Sequence, residues 1–320
     1  MTSTPAGPPA GVVVSPDRRF AELAVLGVMV VWAANFIVVK DVITVMPPVA
    51  FTFLRYTVAT LALFAFLRWQ DGSIRLPHPD AIRIVVLGGL GFGVYQILWT
   101  VGLQTTPAGD SALLIASAPV LTAVIAAAIG VDTLSRQRGA GVALSFIGVV
   151  IVVAGGVGIE LTGSPIGFAM TLGAAFCWAL YTAFGARFLR RHSPLVLTAW
   201  ASLGGTLVLT PIGLGQLLAP GAIGAEQGAD VIPIALAVLY SGLLAAAAAN
   251  VIIFHAIGLV GPTRVIALQT FVPALAVVFA FIFLGEPIRP AQVIGGAVIV
   301  AGVALTRRTP GRRVVRRAAA

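Results

Sequence analysis

Charged positions along this chain are spaced by intervals that match the thickness of a lipid bilayer. Seventeen uncharged residues separate Glu22 from Lys40, 26 separate Arg83 from Asp110, and 21 separate Asp110 from Asp132. The spacing returns later, with 21 between Arg138 and Glu160, 26 between Glu160 and Arg187, and 21 between Arg264 and Glu286. A helix needs roughly 20 apolar residues to cross the hydrocarbon core, so each interval predicts a span. Residues 48–68 predict another, carrying one internal charge, Arg55. The runs 193–225 and 231–263 predict one span each, ending near Pro211–Pro220 and Gly258–Gly261, and the short run 290–306 is flanked by arginines. No stretch alternates polar and apolar residues as a barrel strand does. The expected fold class is therefore all-α integral membrane, with ten transmembrane helices.

The pattern also repeats. Leu26-Gly27-x4-Trp32 returns 146 residues later as Leu172-Gly173-x4-Trp178, and the same offset carries Pro48 onto Pro194 and Thr52 onto Thr198. An offset of 154 pairs Pro119 with Pro273, Asp132 with Glu286, Gly141 with Gly295 and Gly148 with Gly302. The expected organisation is a disordered tail over 1–19, a first repeat over 20–155, a second over 165–306, and a basic tail over 307–320. With five helices in each, the second repeat enters the membrane inverted relative to the first. Two inverted five-helix repeats meeting at mid-depth form a site that opens to either face, which is the geometry of a transporter.

Composition agrees with the class: 59% of residues are apolar and 10% charged, against about a quarter charged in soluble domains. The net charge of +9 raises nucleic acid as a partner, but its distribution argues against one. With the N-terminus inside, 17 of the 20 basic residues fall on the cytoplasmic side, among them Arg307, Arg308, Arg312, Arg313, Arg316 and Arg317. Lys40 and Arg289 fall outside, and the bias predicts cytoplasmic N- and C-termini in a plasma or inner membrane. The arginine tail is expected to rest on anionic lipid headgroups. One cysteine, Cys177, allows no intramolecular disulfide and no cysteine-based metal site. The first apolar segment is of full membrane length and lacks a small-residue cleavage site, so no cleavable signal peptide is expected.

Several motifs resemble those of the EamA-type drug/metabolite transporters. Trp32-Ala-Ala-Asn35-Phe36-x3-Lys40 is similar to that family's first-helix pattern, and Phe53-Leu54-Arg55 to its second. Gly102-Leu103-Gln104-Thr105-Thr106-Pro107-Ala108 resembles its third-helix ending, and Pro119-Val120-Leu121-Thr122-Ala123 with Asp132 its fourth helix. Pro273-Ala274-Leu275-Ala276 and Leu284-Gly285-Glu286-Pro287 repeat the fourth-helix pattern in the second half. The resemblance covers residues 20–306. It implies a central cavity lined by helices one to four and six to nine, with five and ten peripheral. It also implies transport of small metabolites, often export of amino acids. Asp132 stands where the family commonly has Glu, and Gly109-Asp110 is unusual at the start of helix four.

Candidate substrate-binding residues are the polar and aromatic groups placed within spans: Trp32, Asn35, Arg55, Tyr95, Trp99, Trp178, Tyr181 and Asn250. Polar groups in hydrocarbon need partners, and each of these reads either as cavity lining or as a hydrogen bond between helices. Trp99 also reads as an interface anchor. Arg55 reads either as a paired or snorkelling charge or as a contact for an anionic solute group. Pro119 and Pro273 are candidate gating kinks, equally readable as static bends. Gly141, Gly148, Gly295 and Gly302 predict close packing of helices five and ten. His255 reads as interfacial, Lys40 and Asp41 as a gate or a plain charge pair, and Gln269 and Thr270 as weak candidates.

No Asp or Glu is placed at mid-depth, which weighs against proton-driven export of lipophilic cations. An intramembrane serine protease is disfavoured, because Ser241 and His255 are separated by about 21 Å along one helix. The sequence leads to a non-enzymatic transporter with no cofactor and no metal, with a small-molecule solute and the lipid bilayer as partners. A transporter-like receptor or assembly subunit remains the alternative. A homo-oligomer is allowed.

Overall fold

The computed structural model describes residues 16–129, 136–156, 164–185, 187–221, 231–260, 265, 268–269 and 271–307. Asp132, Glu160, Glu226, Asp230, Arg264 and Thr270 lie outside the described residues, as do 1–15 of the tail read at 1–19 and 308–320 of the tail read at 307–320; residues 16–19 and Arg307 are helical. Every regular element among the described residues is helical. Helix α1 is Pro16–Val42, α2 is Pro48–Asp71 and α3 is His78–Thr105. Helix α4 has two segments, Ala108–Ile115 and Ala118–Ala128; α5 is Arg136–Gly156, α6 Pro165–Gly185 and α7 Pro194–Leu217. Helix α8 runs through Val231–Leu239, Tyr240–Ala248 and Ala249–Val260; α9 is Phe271–Leu284 and α10 Pro290–Arg307. Seven helices in the described residues are long and apolar enough to cross a membrane, with three shorter apolar ones at Gly139–Gly155, Phe271–Leu284 and Pro290–Leu305.

Local chemistry sets the ends. Pro48 and Pro194 open α2 and α7, where a missing N–H is not needed, and the Ser193 hydroxyl accepts from the Val196 N–H at 3.3 Å. Gly72 (φ 66°) and Gly285 (φ 67°) terminate α2 and α9 in the left-handed region, which only glycine enters cheaply. Beyond Gly285 the Glu286 N–H returns to the Ala280 carbonyl at 3.2 Å, which satisfies one of the carbonyls left open at the end of the helix. The outer surface carries Phe20, Leu61, Val86, Val150, Leu236 and Phe283 as exposed side chains. Such a surface is untenable in water and suits acyl chains.

Packing follows small residues. Helices α5 and α10 lie backbone to backbone: a Cβ on Gly148 would sit 2.7 Å from the Gly295 carbonyl, and one on Gly302 2.6 Å from that of Gly141. Helix α2 packs on α7, α4 on α9, α1 on α8 and α9, and α3 on α6 and α7. The hydrogen-bond ladder widens to one extra residue per turn over Gly89–Val94 in α3 and Tyr240–Ala248 in α8. Widened turns of this kind redirect side chains and concentrate at functional sites. Helix α4 breaks at Ala116–Ser117, and Pro119 lies in the first turn of its second segment. Pro119 thus marks a break rather than a bend within one continuous helix. Pro273 is the third residue of α9.

Candidate functional site

A cavity of about 270 Å³ opens where α1, α2, α3, α4, α6, α8, α9 and α10 converge. Trp32, Asn35, Arg55, Tyr95, Trp99, Trp178 and Asn250 border it, as do Pro119 and Pro273. Tyr181 does not. It is buried behind the wall, against Phe92 with ring centroids 5.0 Å apart. The family resemblance put α7 on the cavity and α10 at the periphery, and here the structure differs. Helix α7 spends its small face against α2 and α3, while Ile299, Val300 and Val303 of α10 reach the cavity past α4.

Arg55 organises the polar side. It is 2% exposed, so it does not snorkel. Its Nη1 donates to the Ser241 hydroxyl at 2.8 Å, and its Nη2 donates to the Gln96 side-chain oxygen. Ser241 in turn donates to the Asn35 Oδ1 at 2.6 Å, and the Gln96 amide donates to the Tyr56 hydroxyl at 2.6 Å. One chain of hydrogen bonds therefore ties α1, α8, α2 and α3 together around the cavity. Gly242 permits it: a Cβ there would lie 2.7 Å from the Arg55 carbonyl. The guanidinium also lies over the rings of Trp99, Tyr56 and Phe51, 5.3, 5.4 and 5.7 Å from their centroids.

The other wall is aromatic. Tyr95 stacks on Trp99 at 6.4 Å and leans on Trp178 at 5.6 Å, and Trp178 meets Phe92 edge to face at 5.5 Å. Trp99 is 3% exposed and donates to the Ser111 hydroxyl at 3.2 Å, which makes it a lining residue and not an interface anchor. Trp32 donates to the Ala245 carbonyl at 2.8 Å, within the widened turn of α8. Asn250 donates back to Ala246 in its own helix at 2.5 Å. Sequence reasoning passed over Ser241, Tyr56 and Phe92 as lining residues. Gln96, four residues before Thr100 on a helix with Tyr95 and Trp99, carried the one readable signal.

Beyond the cavity, toward the end of the bundle where α1 finishes, polar contacts close the structure. Lys40 donates to the carbonyls of Leu103 (2.5 Å) and Thr106 (2.9 Å) and leaves the exposed Asp41 unbridged. Glu286 accepts from the N–H groups of Ala108 (2.8 Å) and Gly109 (3.2 Å), so the carboxylate after α9 caps the start of α4. Asp110, fully buried, pairs with Arg289 and accepts from Gln292 at 2.7 Å. At the opposite end His192 meets Asp80 at 2.8 Å. Among the described residues no acidic side chain borders the cavity and no cluster could hold a metal ion. His255 is exposed and Ser241 bonds Asn35 and Arg55, so the serine has no catalytic base.

Comparison with known proteins gives the same outline. The EamA-like transporter family matches residues 19–154 and again residues 165–308. A probable terminal-alkyne amino-acid exporter of Streptantibioticus cattleyicolor is 32% identical over 89% of this chain and 93% of its own length. A probable amino-acid metabolite efflux pump of Salmonella typhimurium is 30% identical over 90% and 94%. A threonine/homoserine exporter of Escherichia coli is 30% identical over 80% of each chain. A solved crystal structure superposes with a TM-score of 0.63 at 20% identity, covering 90% of this chain and 98% of that one.

Proposed function

The chain belongs to the EamA-like transporter family, and on that premise we propose that it exports amino acids or related small metabolites by alternating access. The observation that carries this reading is the aromatic and amide-lined cavity, closed at the Lys40 end by contacts that join α1, α3, α4, α9 and α10. Three relatives with exporter or efflux names support the solute class. Trp32, Asn35, Tyr95, Trp99, Trp178 and Asn250 are the groups that would meet the solute, by stacking and hydrogen bonding. Pro119, at the break in α4, and Pro273 in α9 would serve as the bending points.

In this reading the seven long helices and the three shorter ones together make ten spans, in two inverted repeats. Support comes from the contacts. Exchanging α1 to α5 with α6 to α10 maps α3 on α6 onto α8 on α1, and α4 on α6 onto α9 on α1; α2 on α7 and α5 on α10 map onto themselves. The arginine bias then puts both termini in the cytoplasm of a cell membrane, with the closed end outside. Flux of labelled amino acids and related metabolites from proteoliposomes tests the function. Absence of flux across a broad panel rejects it. Labelling of cysteines introduced at positions 12 and 158 tests the architecture, which requires them on opposite sides of the membrane.

A further inference from the structure

Arg55 is a buried cation that meets no anion among the described residues. Its hydrogen-bond acceptors are a hydroxyl and an amide oxygen, Ser241 and Gln96, and its Nε has no partner. The acids that could have approached are used elsewhere: Asp110 by Arg289 and Gln292, Glu286 by the start of α4. A buried charge without a counter-ion is costly, and removing one partner of a buried pair costs several kcal/mol. Three ring faces within 6 Å, Trp99, Tyr56 and Phe51, offset part of that cost. If the residue only tied helices together, a neutral amide could bond Ser241 and Gln96 without a charge to desolvate.

We propose that Arg55 is the carboxylate anchor of the cavity, so that the protein recognises small monocarboxylates, amino acids included, whose anion pairs with the guanidinium. The inference rests on the transport reading and names the solute's chemistry. One guanidinium matches one negative charge, which disfavours phosphate esters and dicarboxylates. Ser241 and Gln96 take two of the guanidinium's five N–H donors, which leaves donors on the same group for a charge-assisted hydrogen bond to the carboxylate. The body of the solute lies against Tyr95, Trp99 and Trp178, which border the same space.

The test compares the standard amino acids with their carboxamides and decarboxylated amines, using the full-length protein. Binding is read as thermal stabilisation in detergent, and transport as flux in proteoliposomes. Wild-type protein should bind acids more tightly than the matched amides by about tenfold to a hundredfold. Arg55→Gln should abolish that preference, and Arg55→Lys should keep part of it. Amides that bind and move as well as acids overturn the anchor, as does an Arg55→Gln protein that still prefers acids. The wild-type comparison decides the matter even if the variants misfold. Acid-selective stabilisation without flux keeps the anchor and rejects the transport reading; flux with no acid preference does the reverse.

Discussion

Two buried or half-buried arginines stitch this bundle together, and they do so in opposite ways. Arg289, between α9 and α10, finds the fully buried Asp110 of α4 and the Gly155 carbonyl of α5 at 3.2 Å. Arg55, in the first third of α2, finds neutral oxygens and ring faces. The first has its charge answered by the protein and makes a closed seam. The second has its charge left open beside a cavity. The same residue type thus serves as a lock in one place and, in the role proposed for it, as a binding group in the other, and the presence of a fixed carboxylate makes the difference.

The largest effect should come from the lock. Arg289→Ala leaves the Asp110 carboxylate buried without its cation, and should lower stability by about 3–5 kcal/mol, read from unfolding of the purified protein. The double variant with Asp110→Ala should recover part of that loss. If the two changes simply add, the seam is not a coupled pair.

A middle-sized effect is expected away from both arginines. Gly295→Val drives a side chain into the Gly148 carbonyl, 2.8 Å from its Cβ, and should cost about 1–3 kcal/mol. Solute preference in flux assays should not change, because the α5–α10 glycine seam lies away from the polar network. A shift in preference would tie this seam to the Arg55 network and weaken the contrast.

The smallest stability effect belongs to Arg55. Arg55→Gln removes a charge that no carboxylate among the described residues answers, and should change unfolding by no more than about 1 kcal/mol in either direction. A loss as large as that of Arg289→Ala would make Arg55 a structural strut and erase the distinction between the two.

Parts of this contrast could be read from the chain and parts could not. The charge-free interval 84–109 anticipates α3 at His78–Thr105, and the glycines at 141, 148, 295 and 302 meet across α5 and α10 as their spacing predicts. Arg55 stood out as the charge within a span. Its partners did not, because Ser241 and Gln96 lie 186 and 41 residues away and carry no local signal. Asp110 read as the boundary of two charge-free intervals, yet it is fully buried and pairs with an arginine 179 residues later. The widened turns at Gly89–Val94 and Tyr240–Ala248 are equally silent, since a helix apolar on every side offers no periodicity to be interrupted.

The sequence by itself determined which segments prefer hydrocarbon, because transfer from water to lipid depends on composition along one axis. Rotation about that axis was left undetermined. In a helix whose faces are all apolar, lipid does not choose the inward side; close packing at glycines and the pairing of scarce polar groups do. Only the assembled bundle could decide that Arg289 meets a carboxylate while Arg55 faces an open space.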